Sequence, residues 1–269
     1  MKYARDTILV IAPSAGGKTE ILNIIREDVG NRGLPHVYKP LSDSHTILDR
    51  VEEDDKDNYG RGHYHTWTLD KRNGHVHRNY RDDPMLPFTL SGNAVAHKFI
   101  QDFFYNLRNV PQTGELRFAE LSGGVNTNGY DEPASQTDLS FAMMNQLLRQ
   151  GRFSKDGLSR VLAVIHPQTD DEVRFALNSS RNIPTDREID QGTASWPLSQ
   201  EAMNIFGVDD FYALEPLFFE MQIPHVYTVT NDGGTLLRGE IEYRLPAILR
   251  GWEGWSGGEG GRGRLKESE

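Results

Sequence analysis

The run Thr7-Ile8-Leu9-Val10-Ile11-Ala12, continued by Pro13-Ser14-Ala15-Gly16-Gly17-Lys18-Thr19-Glu20, constrains this chain more than any other stretch. An apolar, β-branched strand feeds a loop of small residues, and Gly-Lys-Thr then opens an amphipathic segment, Glu20-Ile21-Leu22-Asn23-Ile24-Ile25. Strand, small-residue loop and helix in that order are the context of a phosphate-binding loop. Backbone N–H groups of such a loop and of the helix's first turn surround anionic oxygens. Lys18 is predicted to reach the β- and γ-phosphates of a nucleotide, and the Thr19 hydroxyl to hold Mg²⁺. Pro13, Ser14, Ala15, Gly16, Gly17, Lys18, Thr19 and Glu20 are thus all expected at the bound nucleotide. One position departs from the pattern G-x-x-x-x-G-K-S/T: Ala12 stands where the first glycine would be. Alanine can follow a strand closely, but it takes a positive φ only at a cost.

The chain's 269 residues suffice for one large α/β domain, or for a core domain carrying an insertion. A formal charge of −10 argues against broad attachment to a nucleic-acid backbone. With no cysteine, disulfides, thiolate zinc sites and cysteine nucleophiles are excluded. Met1-Lys2-Tyr3-Ala4-Arg5-Asp6 runs straight into the first strand and leaves no room for a signal peptide. No apolar run approaches the roughly 20 residues that span a bilayer. The expectation is a soluble cytoplasmic protein with no membrane partner.

Along the chain, strand and helix patterns alternate. His36-Val37-Tyr38-Lys39-Pro40 reads as a second short strand, with Asp43 just beyond its carboxyl end. In the segment 45–113, expected to be a substrate-binding insertion, residues 62–81 read as a hairpin turning at Asn73-Gly74. A three-residue turn there would set Leu69 opposite His77. Residues 91–110 carry Val95, Phe99, Ile100, Phe103, Phe104 and Leu107 at helical spacing. Leu116 to Leu121 is predicted as the next core strand, and 135–150 as a helix opened by Ser135-Gln136-Thr137-Asp138. Val161 to His166 reads as a buried strand ended by Pro167. Helices are expected over 170–179, 199–206 and 209–221, with polar, irregular sequence between Arg181 and Trp196. The last strand is His225 to Thr230, followed after Asn231-Asp232-Gly233-Gly234 by a helix ending near Leu249. The Gly-rich tail 251–269 is expected to be disordered. Together these signals predict a three-layer α/β/α sandwich with a mostly parallel sheet, its core built from 1–44 and 114–250 and its ligands at the strands' carboxyl ends.

Three pieces of sequence give the chain a family likeness. Ala12-Pro13-Ser14-Ala15-Gly16-Gly17-Lys18-Thr19 resembles the Gly-Pro-Ser-Gly-x-Gly-Lys loop of P-loop kinases of small molecules and nucleotides, guanylate kinase in particular. Val164-Ile165-His166-Pro167, followed by Asp171-Glu172-Val173-Arg174 and Arg181, resembles that family's fourth strand running into an arginine-bearing lid, here over 170–196. Val229-Thr230-Asn231-Asp232-Gly233 is similar to its closing strand and Asn-Asp turn, which implies Asn231 on the adenine side of the nucleotide. The substrate-binding segment of guanylate kinase finds no visible match between 45 and 113, so guanylate specificity is not implied.

Phosphoryl transfer asks a protein to position reactants and neutralise developing charge. Glu120, at the end of the third core strand, is the candidate second Mg²⁺ ligand, against the plain reading of an exposed strand-end glutamate. Asp43 is the candidate to orient or deprotonate an acceptor hydroxyl, although a turn residue would look the same. Arg174 and Arg181 lie seven residues apart, about two helical turns, and share a face if the helix persists. Closing over a triphosphate, they would stabilise transition-state charge and exclude water, with Arg187 a third candidate. His63, His65 and Trp67 are candidate substrate contacts. Hairpin geometry sets His65 too far from His77 for one metal ion to join the four histidines His63, His65, His75 and His77. The chemistry expected is an ATP- and Mg²⁺-dependent kinase moving the γ-phosphate to a hydroxyl or phosphate of a small molecule, such as a nucleoside or nucleotide. Competing readings are a kinase acting on a nucleic-acid base or end, which the acidic balance disfavours, and a nucleotide-gated regulatory module.

Overall fold

The computed structural model describes residues 4–43, 67–70, 75–78, 93–126, 138–181, 203, 207 and 209–256. In chain order the strands are β1 (Thr7–Pro13), β2 (Leu41–Ser42), β3 (Trp67–Asp70), β4 (His75–Arg78), β5 (Arg117–Gly123), β6 (Val125–Asn126), β7 (Asp138–Leu139), β8 (Val161–Thr169) and β9 (His225–Asn231). The α-helices are α1 (Lys18–Asn31), α2 (Asn93–Asn109), α3 (Phe141–Gln150), α4 (Arg152–Leu158), α5 (Asp171–Ser179), α6 (Glu215–Glu220) and α7 (Thr235–Ser256). Five strands form one parallel sheet in the order β2-β5-β1-β8-β9, so β1 and its loop occupy the centre.

Successive side chains of a strand point to opposite faces, and both faces of this sheet are covered. Leu9, Ile11, Ala119, Leu121 and Val164 pack with Phe103 and Phe104 of α2 and Phe141 and Met144 of α3. The other face carries Ile8, Val10, Phe118, Ala163 and Ile165, which meet Ile21, Leu22 and Ile25 of α1 and Leu237, Ile241 and Leu245 of α7. The helix expected inside the insertion is therefore one of the helices covering the central sheet. Beneath it, Arg160 is fully buried at the amino-terminal end of β8. Its Nη2 meets Asp6 Oδ2 at 2.5 Å, and its Nη1 donates to the carbonyls of Leu107 (3.1 Å), Arg108 (3.3 Å) and Val110. One guanidinium thus satisfies the orphan carbonyls that end α2 and ties that helix to the first strand.

Several local expectations are corrected. The second strand is Leu41–Ser42, because His36, between Pro35 and Pro40, makes only a single bridge to Leu116. The helix expected from Ser135 starts at Phe141: Ser140 is its cap, its Oγ accepting from Met143 N at 3.2 Å, while Asp138 lies in β7. A second helix, α4, follows it. β8 continues through Pro167 to Thr169; beyond Ile165 it pairs with β9 alone, so the N–H that proline lacks faces no strand. In the hairpin, Thr68 rather than Leu69 faces His77, since the connection spans four residues. α7 runs past Leu249 to Ser256, with Trp252 buried against the core, so 251–256 of the expected tail are helical; 257–269 lie outside the described residues. Among the described residues no helix is long and apolar enough to cross a membrane.

Candidate phosphate-binding site

The loop after β1 turns where glycine is needed. Gly17 sits at φ 89°, and a Cβ there would lie 2.2 Å from Asn231 Nδ2. Ala15 takes φ 60°, so the cost of positive φ falls on Ala15 and not on Ala12, which stays extended and buried in β1. Ala12 instead crowds Gly16, whose added Cβ would come within 2.9 Å of the Ala12 methyl. Gly16 N donates to Pro13 O at 3.1 Å, closing a tight turn, and Ile21 N to Gly17 O at 3.1 Å begins α1. Helical geometry leaves the N–H groups of the first turn, Lys18 to Glu20, without intrahelical acceptors. Gly17, as the cap, brings no side chain to them.

The carbonyls of this loop are held from outside. Gly16 O accepts from Thr169 Oγ1 at 3.0 Å and from Asn231 Nδ2 at 3.1 Å. Ser14 O accepts from Arg174 Nε at 3.3 Å, while Lys18 Nζ donates to Ala12 O (3.2 Å) and Pro13 O (3.0 Å). Side chains from β8, α5 and β9 thereby hold two carbonyls of one turn. Asn231 is buried behind the loop, and its Oδ1 accepts from Gly233 N at 2.9 Å. Below the loop, buried His166 donates from Nδ1 to Ile11 O at 2.8 Å, meets Asp209 Oδ2 through Nε2 at 3.0 Å and stacks on Phe211.

Charged groups gather beside the loop. Ser42 Oγ donates to Glu120 Oε1 at 2.6 Å, and Asp43 Oδ2 accepts from the Ser122 backbone N–H, so side chains at the end of β2 tie it to the end of β5. Burial lowers the Lys18 pKa, the negative Asp43 and Glu120 raise it again, and the positive Arg181 and Arg174 push it further down. Asp43 is fully buried, and burial pushes its carboxyl above the ordinary aspartate range; Lys18 pulls it down, Glu120 raises it and the Ser122 N–H lowers it. Arg181 is lowered by burial and raised by Glu120. Lys18 therefore lies within the electrostatic reach of Asp43, Glu120, Arg181 and Arg174, and Glu120 within that of Asp43 and Arg181. Glu20 is raised by burial and by Asp232 of the turn after β9.

Arg174 is placed differently. Its guanidinium is buried against Ser14 O, Asp171, Gly207 O and Met203 O. The helix carrying it ends at Ser179, since Asn178, Ser179 and Ser180 favour capping over helix, so Arg181 lies beyond it in a turn. Trp67 opens β3. His63, His65 and Arg187 lie outside the described residues. Thr169, Ser42 and Ser122 were not picked out from sequence; the one signal for Thr169 is its place at the end of a buried strand adjoining the loop strand.

The oxygen donors of Thr19 and Glu120 suit Mg²⁺, a hard cation that takes one or two carboxylates and completes its shell with phosphate and water. Among the described residues no group of three or more His, Cys, Asp or Glu forms a ready-made metal site.

No family model matches the chain, and no curated protein matches it. Among solved structures it is similar to shikimate kinase from Acinetobacter baumannii in complex with shikimate, at 11% identity and TM-score 0.39, over 93% of this chain and 95% of that one. It is also similar to an unliganded sugar kinase from Janibacter sp. HTCC2649 (11%, TM-score 0.40, 92% and 95% covered). A third is shikimate kinase from Bacteroides thetaiotaomicron (12%, TM-score 0.38, 91% and 98% covered). None of these three is a guanylate kinase.

Proposed function

We propose that this chain is an ATP-dependent phosphotransferase that moves the γ-phosphate to a hydroxyl of a small molecule. The observation that carries the reading is the convergence of Lys18, Asp43, Glu120 and Arg181 beside the turn formed by Pro13 to Thr19. Bound Mg·ATP would supply an electrophilic γ-phosphorus and a leaving ADP. Main-chain N–H groups of the turn and of the first turn of α1, apart from that of Gly16, which closes onto Pro13 O, hold the phosphate oxygens, and Lys18 and Arg181 neutralise charge as it develops on them. Thr19 and Glu120 hold the metal, Glu120 being oriented by Ser42. Asp43 accepts the proton of the acceptor hydroxyl as that oxygen bonds the phosphorus and the bond to the bridging oxygen breaks.

A carboxyl raised by burial is a better proton acceptor than an exposed aspartate, which favours an alcohol over an acceptor that is already a phosphate anion. Incubation with Mg·ATP and a panel of polyols, sugars, nucleosides, nucleotides and oligonucleotides tests this reading. ADP release that rises with one alcohol class is expected. Slow hydrolysis that no acceptor accelerates would point to a nucleotide-gated module instead.

A further inference from the structure

We propose that Arg174 is a positioning residue, a strut that fixes the Ser14 carbonyl of the phosphate-binding turn, and does not contact the phosphates; the proposal rests on the nucleotide reading above. Arginine carries five N–H donors and no acceptor. In this molecule four donor contacts are made to protein: Nε to Ser14 O at 3.3 Å, Nη1 to Asp171 Oδ1 at 2.7 Å and Gly207 O at 3.3 Å, and Nη2 to Met203 O at 3.0 Å. The residue is 3% exposed. Swinging the guanidinium toward a triphosphate would strand three backbone carbonyls and Asp171 at once.

The seat is also shaped for the guanidinium. A Cβ at Gly207 would lie 2.5 Å from Arg174 Nη1 and 2.9 Å from Nη2. Glycine at 207 therefore leaves the space into which the fork is pressed. Because Ser14 O must point outward for the neighbouring N–H groups to point inward, holding it fixes the anion cradle before the ligand arrives. Pre-ordering of this kind appears as binding affinity and not as rate at saturation.

The experiment measures Kd for Mg²⁺ with a non-hydrolysable ATP analogue, kcat at saturating ATP, and hydrogen exchange of the 14–17 amides without nucleotide. It compares wild type with Arg174→Ala, Arg174→Lys, Gly207→Ala and the double variant Arg174→Ala/Gly207→Ala. A strut predicts analogue binding weakened about tenfold in each single variant, kcat held within about threefold, and faster exchange over 14–17. Lysine should not rescue, since one ammonium cannot span acceptors on three segments, and the double variant should be no worse than Arg174→Ala. An unchanged Kd with kcat down about a hundredfold, restored in part by lysine, would overturn the proposal in favour of direct phosphate contact. Should Arg174→Ala fail to fold, Gly207→Ala and Arg174→Lys give the same readings. A wild type that binds no nucleotide sinks the functional reading alone; the exchange rates still decide the strut, and unchanged rates in the variants overturn it.

Discussion

Both ends of the parallel sheet bury an arginine and an aspartate, and the two ends have opposite characters. At the amino-terminal end Asp6 meets Arg160 at 2.5 Å, and the same guanidinium covers the carbonyls that finish α2. Charge there is matched to charge and closed off. At the carboxyl end Asp43 is just as buried, yet its carboxyl is pushed up by burial while it accepts from the Ser122 backbone N–H, and Lys18 and Arg181 are both pushed down. Those groups surround a turn whose carbonyls are pinned outward. Buried charge by itself is thus no sign of function; charge held at unfavourable protonation beside unpaired helix N–H groups is.

If this contrast is right, the same kind of substitution has different consequences at each end. Asp43→Asn should lower kcat by about 10²- to 10⁴-fold with little change in nucleotide Kd. It should also remove the acid limb of the rate profile. Asp43 must be ionised to take a proton, so activity falls as pH drops through its pKa. Because that pKa is raised, the limb lies above the ordinary aspartate range. Profiles of kcat/KM for wild type and variant check the sign; a limb in the ordinary range, or one that survives in the variant, would place the base elsewhere.

Arg160→Met should act on stability alone. Asp6 would lose its 2.5 Å partner and keep only Arg117 Nε at 3.8 Å and the Thr7 hydroxyl at 2.9 Å, which is expected to cost about 3 kcal/mol in urea unfolding, with the nucleotide Kd of the folded protein unchanged. A large loss of affinity without loss of stability would erase the distinction between the two ends. The smallest effect is expected from Thr169→Val, which removes one of two donors to Gly16 O. A loss of about 0.5–1.5 kcal/mol, or a few-fold in nucleotide Kd, is predicted from calorimetric titration.

What could be read from sequence divides along the same physical line. β1, its loop and α1 were legible because strand period, small residues and Gly-Lys-Thr are contiguous, and burial of Ile21, Leu22 and Ile25 follows from their helical spacing. Lys18 could be nominated from the Gly-Lys-Thr motif, and Asp43 and Glu120 from their positions near strand ends, since parallel topology brings those ends together. The grip of Thr169, Asn231 and Arg174 on the loop was not legible as such: each contact spans more than 150 positions and depends on strand order. Arg160 shows no local signal at all, because its partners lie at the end of one helix and the start of another strand. Local competition explains other misses. The sequence pattern favours a capping box at Ser135 with Asp138, but Asp138 pairs with Asn126 in the β6–β7 ladder, so the helix begins later, under Ser140. The hairpin register turned on one residue of loop length.

Backbone amide resonances of Ser14 to Thr19 report on whether a triphosphate is gripped by this turn. Titration with Mg²⁺ and a non-hydrolysable ATP analogue should move those six together and saturably, with the shifts lost in Lys18→Ala while the rest of the spectrum stays that of the folded protein. Shifts confined to other parts of the molecule, or none at saturating analogue, would contradict nucleotide binding at this site and the phosphotransferase built on it.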